Sequence, residues 1–115
     1  MNDADVEQYC GLLKKGAEAT GYYFLNPDRE FTLSLCRGLL ANRARYGYAS
    51  CPCRLASGKM EHDRDIICPC VYREPDVRDF GTCFCALYVS KDAFDGKRKI
   101  APIPERRPPS LSSRR

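Results

Sequence analysis

A chain of 115 residues with a formal charge of +4 and eight cysteines is sized for one small domain, and domains of that size often rely on a metal or crosslinks for rigidity. No stretch approaches the roughly 20 apolar residues of a membrane span, and the acidic, polar opening MNDADVEQYC is not a secretory signal. Acidic and basic side chains balance as far as Lys91, so the excess falls mostly on Arg106, Arg107, Arg114 and Arg115 and gives no basic nucleic-acid surface. The chain reads as cytoplasmic, with neither membrane nor nucleic acid as partner; there thiols stay reduced, and clustered cysteines mean metal or redox chemistry more often than crosslinks.

From Asp3 as N-cap, Val6, Tyr9, Cys10, Leu13 and Ala17 recur at spacings of three and four, the stripe of an amphipathic helix that Gly21 ends. A second helix is expected to begin at Asn26-Pro27, with Pro at its first position and Asp28 and Glu30 favourable to its dipole. Its apolar face carries Phe31, Leu35, Leu39 and Leu40, and Gly47 stops it. Cys10 and Cys36 fall on these apolar faces, where a thiol serves as a small core hydrophobe. Beyond Tyr48 the periodicity fails, and Cys, Pro and Gly punctuate the chain through Thr82, a loop-rich stretch that packing alone would not hold. Within it, SGKMEHDRD (57–65) reads as a polar connection with a short helical turn. ALYVS (86–90) is too brief to decide between a strand and the start of a helix. A domain over 1–100 is expected to end in a disordered Pro/Arg/Ser-rich tail, 101–115.

Six of the cysteines form three triplets, CPC (51–53), CPC (68–70) and CFC (83–85). Thiolates are soft ligands that select zinc, copper(I) or iron-sulfur clusters. The usual sites take four of them, so two thiols are spare, and a spare pair beside a metal suggests dithiol-disulfide redox. Structural zinc prefers Cys-x(2-4)-Cys knuckles; one intervening residue in every pair counts against zinc and leaves it open. A disulfide within a triplet would close a small, strained ring, so any disulfide joins different triplets.

CPCR at 51–54, CPC at 68–70 followed by Val71, and Cys-x-Cys at 83–85 followed by ALYVS resemble the catalytic (beta) subunit of ferredoxin:thioredoxin reductase, whose triplets run CPC, CPC, CHC. YYF (22–24) and DAFDG (92–96) extend the likeness from the first helix to about Gly96. The resemblance implies a small, mainly α iron-sulfur domain with minor β, its helices packed beside cysteine loops that wrap a 4Fe-4S cluster. It implies Cys51, Cys68, Cys70 and Cys83 as the cluster ligands, and Cys53 and Cys85 as the redox-active disulfide. In that scheme Cys53 is the nucleophile and Cys85 the cluster-side partner. Ferredoxin would supply electrons in two one-electron steps, thioredoxin or a similar disulfide protein would receive them, and a small second subunit is a possible partner. The alternative from another class is a non-enzymatic zinc or iron-sulfur module for electron transfer or protein interaction.

This chain departs from the pattern in having Phe84 where the family has histidine, the residue associated with proton delivery. His62, Tyr72, Glu74 and Asp76 are the candidates to replace it. Fourteen residues separate the first two triplets and twelve the last two, against a somewhat longer first gap and a shorter second one in the plant-type enzyme. Loop 71–82 is therefore expected to be reshaped and to border the substrate side. Arg54, next to Cys53, can lower that thiol's pKa or stay solvated. Arg64, Arg73, Arg78 and Lys91 are candidates for docking an acidic donor, interleaved with as many acids.

Overall fold

In the computed structural model, which describes residues 2–112, helix α1 (Asp3–Ala19) is capped by Asn2 and not by the expected Asp3. The Asn2 side chain accepts from the Asp5 N–H (2.9 Å) while the Asp5 carboxylate accepts from the Asn2 N–H (3.3 Å), a reciprocal capping box. Helix α2 (Arg29–Tyr46) likewise starts later than Pro27, because Asp28 takes the cap and accepts from the Phe31 N–H. Gly47, in the left-handed region at φ +86°, ends it as expected. The two helices bury Val6, Cys10 and Ala17 with Leu35, Cys36, Leu39 and Leu40 in one core. Phe31 stays 40% exposed; Thr32 is buried in its stead, its hydroxyl donating to the Asn26 carbonyl.

The undecided ALYVS segment resolves into both alternatives in turn. Tyr88–Val89 (β2) pairs antiparallel with Phe24–Leu25 (β1), Phe24 opposite Val89 and Leu25 opposite Tyr88. Ser90 then caps the short helix Lys91–Phe94, designated α5 below. Before them, the polar connection does contain a helical turn, Met60–Asp63 (α3), continued by a 3-10 turn, Arg64–Ile66. It closes around the buried Asp63 carboxylate, which accepts from the Tyr48 hydroxyl and the Ser57 N–H.

Residues 71–82, expected as a loop, hold a third substantial helix, α4 (Arg73–Phe80). Pro75 lies in its first turn, where a backbone N–H has no intrahelical partner to lose, and Gly81 ends it at φ +78°. The architecture is thus mainly helical, with one two-stranded ribbon and cysteine-bearing loops between α2, α4 and β2. No helix among the described residues is long and apolar enough to cross a membrane.

Of the expected tail, 101–115, the residues as far as Ser112 are described. Residues 101–112 lie along the protein, ending in a helical turn, Pro109–Ser112 (α6). Arg106 Nε donates to Asp76 Oδ1 (2.7 Å) and its Nη2 to Asp79 Oδ2 (2.8 Å). Arg107, buried, donates from Nε and Nη2 to Asp65 (2.7 and 3.1 Å) and from Nη2 to the His62 carbonyl (3.0 Å). A composition poor in apolar residues predicts disorder only when nothing else holds the chain; here arginine forks do. Residues 113–115 of the expected tail lie outside the described residues.

Candidate active site

Two backbone ladders bring the triplets to one place. Ser50 and Ile67 form an antiparallel bridge, flanked by the Cys51 N–H on the Ile66 carbonyl (2.8 Å) and the Cys68 N–H on the Ala49 carbonyl (2.9 Å). The first two triplets therefore leave neighbouring, antiparallel segments side by side. The third sits on an extension of the ribbon, where Thr82 bridges Val89 and the Cys83 N–H donates to the Tyr88 carbonyl (2.9 Å).

The first and third triplets share a local geometry that the second lacks. The Arg54 N–H donates to the Cys51 carbonyl (3.2 Å) and the Ala86 N–H to the Cys83 carbonyl (2.9 Å). Each triplet is therefore the first three residues of a four-residue turn, with its cysteines at the first and third positions. Ala86 closes the second of these turns at φ +63°, a conformation that disfavours a Cβ. Asn26 holds it there, its Nδ2 donating to the Ala86 carbonyl (2.9 Å) and its N–H to the Leu87 carbonyl (2.8 Å). In the second triplet the Cys68-Pro69 peptide is cis, and the Cys70 carbonyl accepts the Arg73 N–H at the start of α4.

The four expected ligands, Cys51, Cys68, Cys70 and Cys83, line one small cavity together with Cys85, Arg54, Arg73, Phe84 and Tyr88. Cys53 does not line it. Its side chain is exposed in an adjoining surface pocket of about 230 Å³ bordered by Leu55, Phe84, Glu105 and Arg107. Cys85 is buried in the wall of the small cavity, its sulfur 3.8 Å from that of Cys83, and it stands near enough to Cys51 and Cys53 to perturb their thiols. All six triplet cysteines thus converge, with Cys53 and Cys85 as neighbours. Cys10 and Cys36 remain apart in the α1/α2 core, as their apolar positions predict. Burial, followed by the neighbouring Cys10, pushes the Cys36 thiol up to about 12.

As free thiols the group shares protons unequally. The neighbouring Cys53 and Cys85 pull Cys51 down to about 3 against its burial, with the Arg54 charge assisting. Cys53 is raised to about 11, first by the neighbouring Cys51, and Cys85 is raised well above the ordinary thiol value by Cys51, Cys53 and Cys83 and by burial. Cys83 falls to about 7 through its contact with Cys85 and then through the Tyr88 N–H, 3.3 Å from its sulfur. Burial dominates at Cys68 and Cys70 and raises both. The expectation that Arg54 lowers Cys53 is not met. Its guanidinium acts on Cys51 and Cys70 instead, with Nη1 3.6 Å from the Cys70 sulfur.

None of the residues considered as replacements for the family histidine lines the thiol cavity. The Tyr72 hydroxyl donates to Asp65, and burial followed by that bond raises it to about 12. Asp76 is wholly buried against Arg106, Glu74 is exposed, and His62 meets Arg107 through its carbonyl. Of the expected docking cations, Arg73 stacks on Tyr23 and Tyr88 at the cavity wall, while Arg78 and Lys91 pair with Asp79 and Asp95. Sequence reasoning passed over Tyr88 and Glu105. Tyr88 lines the thiol cavity and its N–H lies 3.3 Å from the Cys83 sulfur, and its position two residues before the end of ALYVS was its one signal. Glu105, paired with Arg54, lies in a segment whose composition hid it.

Four soft thiol ligands at a wall sheltered from solvent, with N–H groups directed at two of their sulfurs, fit an iron-sulfur cluster by donor chemistry. Among the described residues no group of three or more His, Cys, Asp or Glu side chains closes on a point that would hold a single ion. The space enclosed among the sulfurs is about 10 Å³. A family model described as ferredoxin thioredoxin reductase catalytic beta chain matches residues 1–105. No curated protein matches the chain.

Proposed function

We propose, from the premise that this chain belongs to the ferredoxin thioredoxin reductase catalytic beta chain family, that it is a ferredoxin-dependent disulfide reductase in which Cys53 and Cys85 are the redox pair. One observation carries the reading: Cys51, Cys68, Cys70, Cys83 and Cys85 face a common cavity, while Cys53 reaches solvent with Cys85 as its neighbour. A 4Fe-4S cluster held by Cys51, Cys68, Cys70 and Cys83 would supply electrons singly at that wall. Cys53, the accessible thiol, attacks one sulfur of the target disulfide, forming a mixed disulfide and releasing the other sulfur as a thiolate. Cys85, buried behind it, then attacks the Cys53 sulfur. This frees the target as a dithiol and closes the Cys53-Cys85 disulfide, which two electrons and two protons reopen. The turns at 51–54 and 83–86 keep the two sulfurs adjacent through both exchanges. Thioredoxin or a similar disulfide protein is the acceptor, ferredoxin the donor, a small second subunit the further partner, and the cytoplasm the setting.

Anaerobic purification tests the cofactor. A brown protein with about four irons and matching sulfide is expected, whereas a colourless protein with stoichiometric zinc would end the reading. The chemistry is tested by Cys53→Ser, which is expected to keep its iron and to lose thioredoxin reduction; continued turnover would show that Cys53 is not the nucleophile.

A further inference from the structure

Phe84 leaves the cavity wall without an ionisable group at its own position, yet the wall carries a fixed cation. Arg54 is folded over Phe84, its guanidinium carbon 4.5 Å from the ring centroid, and lies 5.2 Å from the Tyr72 ring. Its side chain is 3% exposed. Two of its nitrogens, Nε and Nη2, donate to the two oxygens of Glu105 at 2.7 Å each, and the third, Nη1, points at the Cys70 sulfur. The fork of Arg54 is thus used on both edges, one for the carboxylate and one for the thiol.

Glu105 is itself held. Its Oε1 also accepts the Arg107 N–H (2.8 Å), and Arg107 is anchored on Asp65 and the His62 carbonyl. A rigid relay therefore runs from Asp65 through Arg107 and Glu105 to Arg54 and the Cys70 sulfur. Without the carboxylate, the Nε/Nη2 edge of Arg54 would face the 230 Å³ pocket beside Cys53, where water can solvate it and the long side chain can turn outward.

We propose that Glu105 is a positioning residue of this site: by gripping one edge of Arg54 it fixes the guanidinium on Phe84 with its other edge on Cys70, and so maintains a positive charge against a cluster-ligand sulfur. The proposal rests on the assignment of Cys70 as a cluster ligand. Positive charge and N–H donation at a ligand sulfur favour the electron-richer state of a cluster and raise its potential.

The test is the midpoint potential of the brown, iron-loaded protein, with iron and sulfide content measured alongside. Arg54→Met is expected to lower the potential. Glu105→Ala is expected to lower it too, because Arg54 leaves the sulfur, although loss of an anion acting only through space would raise it. In the Arg54→Met background the Glu105→Ala change should no longer lower the potential. Glu105→Asp keeps the charge but is one methylene short of both nitrogens, and it is expected to lower the potential in the same sense; it serves as the second variant if Glu105→Ala loses its iron. An unchanged or raised potential in Glu105→Ala or Glu105→Asp overturns the proposal, as does an equal fall with and without Arg54. A wild-type protein that binds no iron-sulfur cluster instead defeats the cofactor reading, before any variant is compared, and removes the basis of this one.

Discussion

Arg107→Ala is the change that asks most directly whether the C-terminal segment belongs to the fold. The Arg107 side chain is 3% exposed and its three hydrogen bonds run to Asp65 and to the His62 carbonyl. Removing one member of a buried pair costs about 3–5 kcal/mol. Here Asp65 is 18% exposed and keeps the Tyr72 hydroxyl as a donor, so water and tyrosine compensate in part and about 2–3 kcal/mol is the reasonable figure. The loss falls on the attachment of residues 101–112, not on the α1/α2 core, and it multiplies the detached population by about 30–150. Trypsin on the native, iron-loaded protein reads that population at the bond after Arg106, since the bond after Arg107 precedes Pro108 and resists cleavage. When reclosing is faster than cleavage, the rate follows the open fraction. The wild-type chain is expected to be cut slowly after Arg106 and the variant faster by that factor. Equal rates, or a wild-type rate matching that of a free peptide, would refute the reasoning.

Two further outcomes follow from the same structure. Asn26→Ala leaves the Ala86 carbonyl without its side-chain donor and removes the oxygen that accepts the Asp28 N–H; about 1–3 kcal/mol should be lost, seen as a fall of several degrees in the thermal midpoint, and an unchanged midpoint would show that the third-triplet turn holds itself. Acid should release the C-terminal segment. Burial alone would raise Asp65 and Glu105, but hydrogen bonds from Arg107 and Tyr72 to the first, and from Arg54 and the Arg107 N–H to the second, leave both carboxyls below their ordinary values. Their contribution is then complete above the unfolded carboxyl range near about pH 4 and lost as pH falls through the lower folded values. Hydrogen exchange of 101–112, corrected for its intrinsic pH dependence, should therefore accelerate on acidification through and below that range, and constant protection down to about pH 2 would count against it.

The helices that carry the core were legible because a stripe such as Val6, Cys10, Ala17 or Leu35, Leu39, Leu40 states its own burial. Caps were legible to within a few residues only, since Asn2 and Asp3, or Pro27 and Asp28, satisfy the same local chemistry and the choice is made by which side chain reaches the third N–H. Helix α4 escaped notice because its sequence, REPDVRDF, has one apolar residue buried in the core, Val77, and its other internal anchor is an acid, Asp76, neutralised by an arginine 30 positions away. The same cause hid the C-terminal strap. Apolar periodicity records contacts with a generic core, whereas an ion pair between distant segments leaves no local pattern in either of them.

The triplets show both sides of this limit. That six thiols belong to one site, four as ligands and two spare, could be read from their number, and which cysteine takes which role rested on the family resemblance. The backbone of the three triplets is not alike. In CPC at 51–53 and CFC at 83–85 the cysteines stand at the first and third positions of a hydrogen-bonded turn, and both later cysteines, Cys53 and Cys85, are neighbours. In CPC at 68–70 the turn begins at Cys70 and runs into α4, so Cys70 has no such counterpart. From the two like turns Cys53 reaches the surface while Cys85 lines the cavity with Cys51, Cys83 and the two sulfurs of the unlike triplet. Phe84, the departure from the family's pattern, lies in the third of these turns beneath Arg54. The charge at that wall therefore comes from the residue after the first triplet, and it is held in place by a carboxylate from the end of the chain.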